Sequence, residues 1–265
     1  MIKDITLGQY YPAESVLHRA DPRVKIVLTF VYMVIVFIVN TFAGFLMTVF
    51  FTLFAIAVAS IPVKYTLKGL KPILLIVVFA TLINIFTIKG TPVFEYGAIH
   101  ISYEGLEIAA KTAFRLILWI MGTSLLTLTT TPILLTDGLE KLMRPLKAIG
   151  IPAHEIAMMM TIALRFIPTL LQETDKIIKA QSSRGADFDT GSLLQRAKSF
   201  IPVLIPLFVS AFRRADELAT AMEARCYRGG EGRTRMKQLK FGPADLKVSA
   251  VTAIFFIVLI YLQYL

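Results

Sequence analysis

The sequence predicts an all-α integral membrane protein with about five transmembrane helices and a long cytoplasmic region of amphipathic helices. Of its 265 residues, 56% are hydrophobic and only 17% are charged, and the mean hydropathy is +0.69. A soluble domain needs far less apolar surface to build its core. The apolar residues also fall into blocks of roughly 17 to 25 residues, the length that a helix needs to cross about 30 Å of hydrocarbon.

Five apolar blocks follow one another along the chain, at 24–40, 42–60, 72–88, 108–129 and 248–265. None of them shows the polar and apolar alternation of a transmembrane β-strand, so each block predicts a helical span. The expected organisation is an N-terminal membrane domain of about four spans at 1–130, a cytoplasmic or interfacial helical region at 131–246, and a C-terminal transmembrane helix at 247–265.

The orientation of these spans follows from the basic residues in the short loops. Lys and Arg cluster before the first block and between the second and third, whereas the loop 89–105 has one Lys beside Glu95 and Glu104. For a multi-pass protein of the inner-membrane type, the positive-inside rule therefore predicts a cytoplasmic N-terminus. The same rule makes the region 132–246 cytoplasmic.

Two amphipathic helices are expected within this cytoplasmic region. From Glu155 onward, apolar residues recur at intervals of three and four, which predicts a long one-sided helix that is bent or broken near Pro168. A second helix is expected from about Ile205 to Arg225, after an apolar stretch at 200–212 that is too short to cross a bilayer. Both helices could bind a partner, or they could simply pack on each other or on the membrane surface.

A short repeat favours a partner. Asp175, Ala180 and Arg184 have the same mutual spacing as Asp216, Ala221 and Arg225, and each set ends a helical run before a stretch that contains glycine. A guanidinium at a helix C-terminus is favoured by the helix dipole and can bind a carboxylate on a facing protein with two hydrogen bonds. Either Arg alone could merely cap its own helix, but the pair indicates docking to two similar receptors.

The sequence offers no catalytic or ion-coupling apparatus. Its one cysteine, Cys226, and three scattered histidines lack metal-ligand spacing, so no metal and no cofactor is expected. Apart from Lys25 at the edge of the first block, only Lys111 and Arg115 are charged within the spans, and both lie near a boundary from which they can reach water. If this non-catalytic chain takes part in transport, another protein must supply the energy.

Four segments resemble one family. They are Asp21-Pro-Arg-Val-Lys25 before the first span, Ala163-Leu-Arg-Phe-Ile-Pro168 in the first amphipathic helix, Ser183-Arg-Gly185, and Ala224-Arg-Cys226. Together and in this order they resemble EcfT, the transmembrane coupling subunit of energy-coupling factor (ECF) vitamin importers, over nearly the whole chain.

The resemblance implies a scaffold that joins two ABC-type ATPases, which bind the ATP, to a membrane-embedded S-component that binds the vitamin. The two amphipathic helices would be coupling helices, and each would end in a motif that inserts into one ATPase. These motifs are Ser183, Arg184 and Gly185 in the first helix and Ala224, Arg225 and Cys226 in the second. Because the motifs differ in sequence, two different ATPases are favoured over two copies of one.

The resemblance also implies that apolar faces of the coupling helices hold the S-component. The candidate contacts are Met158, Met159, Met160, Phe200, Phe208 and Phe212. Adaptable Met-rich surfaces suit a groove that accepts several partners. Ordinary packing within the chain is the alternative for these six residues.

Two other functions stay open at this point. A conventional ABC permease subunit would line its own substrate path through the membrane. A membrane-embedded lipid-modifying enzyme would need acidic or histidine residues that converge at the cytoplasmic boundary, where the sequence offers Asp137, Glu140, His154 and Glu155.

Overall fold

The computed structural model describes residues 10–96, 99–188, 190, 192–230 and 238–264. The helices in this part of the chain are α1 (Val16–Arg19), α2 (Pro22–Ile38), α3 (Phe42–Val58), α4 (Val63–Thr87), α5 (Tyr103–Thr129), α6 (Pro132–Met143), α7 (Ala153–Ser183), α8 (Leu193–Ser199), α9 (Ile201–Ala224) and α10 (Pro243–Tyr264), with a 3-10 turn at Arg144–Ile149. The predicted all-α membrane fold is confirmed.

The described residues form two compact units. The first, which we call the membrane unit, contains 10–142 and 238–264. The second contains 143–230 and is called the coupling unit after the role that the sequence analysis expects of it. The C-terminal helix α10 contacts α2 and α3, so helices from early and late in the sequence fold together in the membrane unit.

Each of the five apolar blocks forms a helix: α2, α3, α4, α5 and α10. By length and hydropathy, α4, α5 and α10 could each cross a membrane, whereas α2 and α3 are shorter, at 17 residues each. The helix starts follow from capping residues. The side chains of Asp21, Thr41 and Ser102 accept hydrogen bonds from backbone N–H groups in the first turns of α2, α3 and α5.

The core of the membrane unit lies where α2, α3, α5 and α10 meet. Tyr32 is buried there, and its hydroxyl bonds to Thr52 Oγ1 at 2.8 Å and to the Leu118 carbonyl at 3.2 Å. A Cβ on Gly122 would lie 2.3 Å from the Tyr32 ring, so this glycine permits the close approach of α5 to α2. Small residues and bonds between helices are the interactions that hold helices together in lipid, where apolar burial gives little advantage.

A small hairpin that the sequence analysis did not anticipate connects α4 to α5. Strand β1 (Pro92–Tyr96) pairs antiparallel with β2 (Ile99–Ser102). It occupies the loop predicted to lie outside the cell. The fold is otherwise helical over the described residues.

The coupling unit differs from the expectation in three respects. Of the bend or break that was expected near Pro168, the break does not occur, because α7 is continuous through this residue. It also has the length and hydropathy of a membrane span, whereas it was predicted to be only amphipathic. Helix α9 begins at Ile201, not near Ile205, and it contains Pro206.

The extended start of α9 has a physical reason. Proline at position 206 has no N–H to donate to the carbonyl of Pro202, four residues earlier. The side-chain amide of Gln181 on α7 donates to that carbonyl at 3.5 Å instead. A long contact from the neighbouring helix thus replaces the bond that the proline removes, and the helix continues.

Candidate functional site

The first Arg motif forms the C-terminal end of α7. Arg184 is the cap residue, and Gly185 follows in the left-handed conformation with φ of +89°. The Gly185 N–H donates to the Ser182 carbonyl and the Ala186 N–H donates to the Gln181 carbonyl, both at 3.0 Å. These two bonds make a Schellman motif, which satisfies the last carbonyls of a helix and turns the chain away.

The second motif has the same backbone at the end of α9. Arg225 is the cap residue, and Cys226 follows with φ of +56°. The Cys226 N–H donates to the Glu223 carbonyl at 2.8 Å, and the Tyr227 N–H donates to the Met222 carbonyl at 3.0 Å. The repeat seen in the sequence is therefore also a repeat of geometry, with each Arg directly before the left-handed residue.

All six motif residues are exposed: Ser183, Arg184, Gly185, Ala224, Arg225 and Cys226. In the part of the chain that the structure describes, neither the Arg184 nor the Arg225 guanidinium has a hydrogen-bond or ion-pair partner. The backbone bonds of each Schellman motif already cap the helix. Self-capping therefore does not explain the two guanidinium groups, and both present their full set of donors to solvent.

Helices α7 and α9 form an antiparallel pair held by one polar cluster. The Ser210 hydroxyl donates to Glu173 Oε1 at 2.5 Å, and Arg214 Nη2 donates to Glu173 Oε2 at 2.9 Å. Ser210 is buried, whereas Glu173 and Arg214 are partly exposed. Sequence reasoning missed this cluster, because its members lie 37 and 41 residues apart and no local pattern connects them.

The antiparallel arrangement separates the two Arg motifs. The end of α7 lies beside the start of α9, as the Gln181 contact to Pro202 shows. At the other end, a Cβ on Gly230 would lie 2.3 Å from the His154 ring, so the chain beyond α9 passes the start of α7. Helix α9 has 24 residues, so the motifs lie about 35 Å apart along the pair at 1.5 Å per residue.

The structure does not bring the six candidate S-component contacts into one patch. Met158, Met159 and Met160 lie near the start of α7, at the end of the pair that carries Arg225. Phe200 lies at the opposite end and packs against Phe188, with ring centroids 5.3 Å apart.

The outer face of α9 carries the other two candidate contacts. Phe208 is 61% exposed and Phe212 is 70% exposed. Ile201 and Ile205 share their helical face, opposite the buried Val203 and Ser210. This continuous apolar stripe is a better candidate for a membrane or partner contact than the methionines.

The segment Asp21–Lys25, which the sequence analysis noted only for its resemblance, forms a buried charge cluster in the membrane unit. The Asp21 carboxylate accepts bonds from Arg23 Nε at 3.0 Å and from Arg23 Nη2 at 2.7 Å. Burial alone would raise the pKa of the Asp21 carboxyl, but the hydrogen bonds and charge of Arg23 outweigh it and the pKa is lowered. The Arg23 guanidinium lies over the Phe241 ring, 4.2 Å from its centroid.

This charge cluster joins the start of α2 to the start of α10. Asp245 is buried, and its carboxylate accepts from the Asp21 N–H at 2.5 Å and from the Gly242 N–H at 2.7 Å. Lys25 is also buried, and its ammonium donates to the carbonyls of His18 and Thr129 and to the Thr130 hydroxyl. The cluster therefore satisfies its buried charges internally.

The residues that an embedded enzyme would need do not form a site within either unit. Asp137 and Glu140 lie on α6 in the membrane unit, and His154 and Glu155 begin α7 in the coupling unit. Among the described residues, no group of three or more His, Cys, Asp or Glu side chains could hold a metal ion. The candidate site that the geometry supports is therefore the pair of Arg motifs.

Comparison with known proteins identifies relatives over the whole chain. Residues 13–236 match the family described as CbiQ, cobalt transport protein. The energy-coupling factor transporter transmembrane protein EcfT of Ruminiclostridium cellulolyticum is 64% identical over 264 residues, which cover 100% of this chain and 99% of the relative. The EcfT of Clostridium kluyveri is 57% identical over 94% of this chain and 93% of its own length, and that of Bacillus subtilis is 46% identical over 94% of both. The chain therefore belongs to the CbiQ/EcfT family of transport proteins and is an integral membrane protein.

Proposed function

We propose that this chain couples ATP hydrolysis by two cytoplasmic ABC-type ATPases to the uptake of a vitamin or another micronutrient. A separate membrane-embedded S-component binds the substrate, and this chain is the scaffold between the S-component and the ATPases. The chain itself is non-catalytic and resides in the bacterial plasma membrane, with its coupling unit on the cytoplasmic side or at the membrane interface. The names of its relatives support a transport complex, and the basic loops support this orientation.

One observation carries the proposal: two exposed Arg motifs with the same backbone geometry end the two helices of one antiparallel pair. Each motif presents an unpartnered guanidinium, which binds a carboxylate with two parallel hydrogen bonds. A separation of about 35 Å along the pair lets each motif enter a different protein. The different residues that follow the two arginines favour two different ATPases.

The proposed mechanism relies on the contacts between the two helices of the pair. Closure of the ATPases around ATP moves the two docking grooves, and each groove carries its Arg motif with it. Because Glu173 ties α7 to α9, the movement of either terminus reaches the whole coupling unit. The apolar stripe on α9 transmits that movement to the S-component, which releases its substrate to the cytoplasm.

The decisive experiment replaces Arg184 and Arg225 by Glu in the same chain. Charge reversal places a carboxylate of this chain opposite the ATPase carboxylate that the guanidinium should bind. Both ATPases should therefore be lost on purification in mild detergent. Vitamin uptake by cells should fall by about tenfold or more. Mass spectrometry of the purified complex and uptake of labelled vitamin measure the two effects.

Arg165→Glu with Arg213→Glu is the matched control. Both residues are exposed and lie on the same two helices, away from the termini. The control should keep the ATPases and the uptake. If the Arg184 and Arg225 double variant inserts into the membrane and still supports full uptake, the coupling role is refuted. Cross-links from the substrate to this chain, with no separate binding protein, would instead support a conventional permease.

A further inference from the structure

The membrane unit contains a cavity that the proposed coupling role does not use. Its volume is about 270 Å³, and residues of α2, α3, α5 and α10 line it. It begins where Lys25 and Lys247 lie and reaches inward to Tyr32. Lys25 and Tyr32 are seven residues apart on α2, so the cavity is about 10 Å deep along the helix.

The walls of the cavity offer little to a polar ligand. The hydroxyls of Thr52, Thr129 and Thr252 each donate, at 2.8 Å, to a backbone carbonyl four residues earlier in their own helices. The Tyr32 hydroxyl is bonded to Thr52 and to the Leu118 carbonyl. These groups have found partners within the protein. Apart from Thr29 and the two lysines, the other lining residues are aliphatic, aromatic or glycine. Apolar walls of this kind favour contact with hydrocarbon over contact with a polar ligand.

The end of the cavity at Lys25 has an excess of positive charge. The carboxylates of Asp21 and Asp245 offset the charges of Arg23 and Lys25 within the buried cluster. Lys247 lines the cavity, is exposed, and has no ion-pair partner among the residues that the structure describes. An ammonium free to meet an anion therefore lies beside an apolar cavity.

We propose that this cavity binds one acyl chain of an anionic phospholipid, with the lipid phosphate beside Lys247. The ammonium of Lys247 matches the anionic headgroup of such a lipid, and the apolar walls match its acyl chain. A vitamin would need several convergent polar groups, which the walls do not provide. A helix of a partner protein, about 10 Å across, is too wide for a cavity of this volume.

Native mass spectrometry tests the proposal. The complex is released from lipid bilayers that contain equal amounts of phosphatidylglycerol and phosphatidylcholine. The wild-type chain should retain one phosphatidylglycerol. Ala55→Phe, which places a ring in the cavity from α3, should abolish this retention, and Val251→Trp should do the same from α10. Lys247→Gln should keep the lipid but lower the preference for phosphatidylglycerol by about fivefold, the effect of one surface Lys.

Two control variants separate a filled cavity from general damage. Ala57→Phe lies on α3 but does not line the cavity, and Lys64→Gln removes an exposed ammonium elsewhere. Both should retain the lipid as the wild type does. The proposal is overturned if the wild-type chain retains no phosphatidylglycerol. It is also overturned if both cavity variants are well folded and still retain this lipid. An unchanged preference in Lys247→Gln would overturn the assignment of the phosphate.

Discussion

At the residue scale, Cys226 has the left-handed conformation that Gly185 has in the first motif. A side chain in this conformation costs about 1 kcal/mol or more, and glycine avoids that cost. Cys226→Gly should therefore raise the free energy of unfolding by up to about 1 kcal/mol, after its entropic cost in the unfolded chain.

Thermal unfolding of the purified chain in detergent measures this effect. Cys226→Val, with a branched side chain at the same φ, should lower the unfolding temperature. Ala224→Gly should lower it too, because that residue ends the helical part of α9. Equal unfolding temperatures for the wild type, Cys226→Gly and Cys226→Val would contradict the strain at residue 226.

The structure places Arg184 and Arg225 at the ends of α7 and α9, where the sequence repeat predicted them, and their docking role stays a prediction. Arg184 and Arg225 could be predicted because their spacing from Asp and Ala repeats along the chain. Gly185 is also a recognisable helix end. Cysteine has no preference for the left-handed conformation, so only the backbone bonds of Cys226 and Tyr227 show that the two termini are equivalent.

At the scale of elements, Glu173 is the residue that ties α7 to α9. Glu173→Ala removes the acceptor for the buried Ser210 hydroxyl and the partner of Arg214. The pair should lose about 1 to 2 kcal/mol, since one hydrogen bond and one partly exposed ion pair disappear. Hydrogen–deuterium exchange of residues 201–224 should become faster as a result.

Glu155→Ala is the matched control for this prediction. It removes an exposed carboxylate near the start of the same helix. The hydrogen–deuterium exchange rates of α9 in the Glu155→Ala variant should equal those of the wild type. Equal rates for Glu173→Ala as well would show that apolar packing alone holds the pair.

The helices themselves could mostly be predicted, because an apolar block of span length has few other ways to satisfy its backbone in lipid. The errors occurred at prolines. Pro168 indicated a bend or a break and Pro206 a helix start near Ile205, yet α7 and α9 continue through these prolines. In α9 the Gln181 side chain replaces the missing bond, and no local sequence pattern could show that contact.

At the scale of the whole molecule, Asp245 joins the two ends of the membrane unit. Asp245→Ala leaves the buried Asp21 N–H without its acceptor and removes a nearby negative charge from Lys25. An unsatisfied buried donor costs about 1 to 3 kcal/mol, so the unfolding temperature in detergent should fall clearly. The unfolding temperature of Asp245→Asn, which keeps an acceptor oxygen, should fall less.

Asp216→Ala is the control, because Asp216 is exposed on α9 and lies in the coupling unit. It should unfold at the wild-type temperature. If Asp245→Ala does the same, the charge cluster does not hold the chain ends together. This contact joins residues 224 positions apart, which is why charge counts and loop composition could not reveal it.

The antiparallel helix pair has one more consequence. Two helices that run in opposite directions and end in the same motif are related by an approximate two-fold rotation, whose axis passes near the Glu173 cluster. A dimer of ABC-type ATPases with the same kind of axis would then meet an equivalent surface on each subunit. A single asymmetric chain can thus match a nearly symmetric partner, and the difference between Gly185 and Cys226 marks where that symmetry is broken.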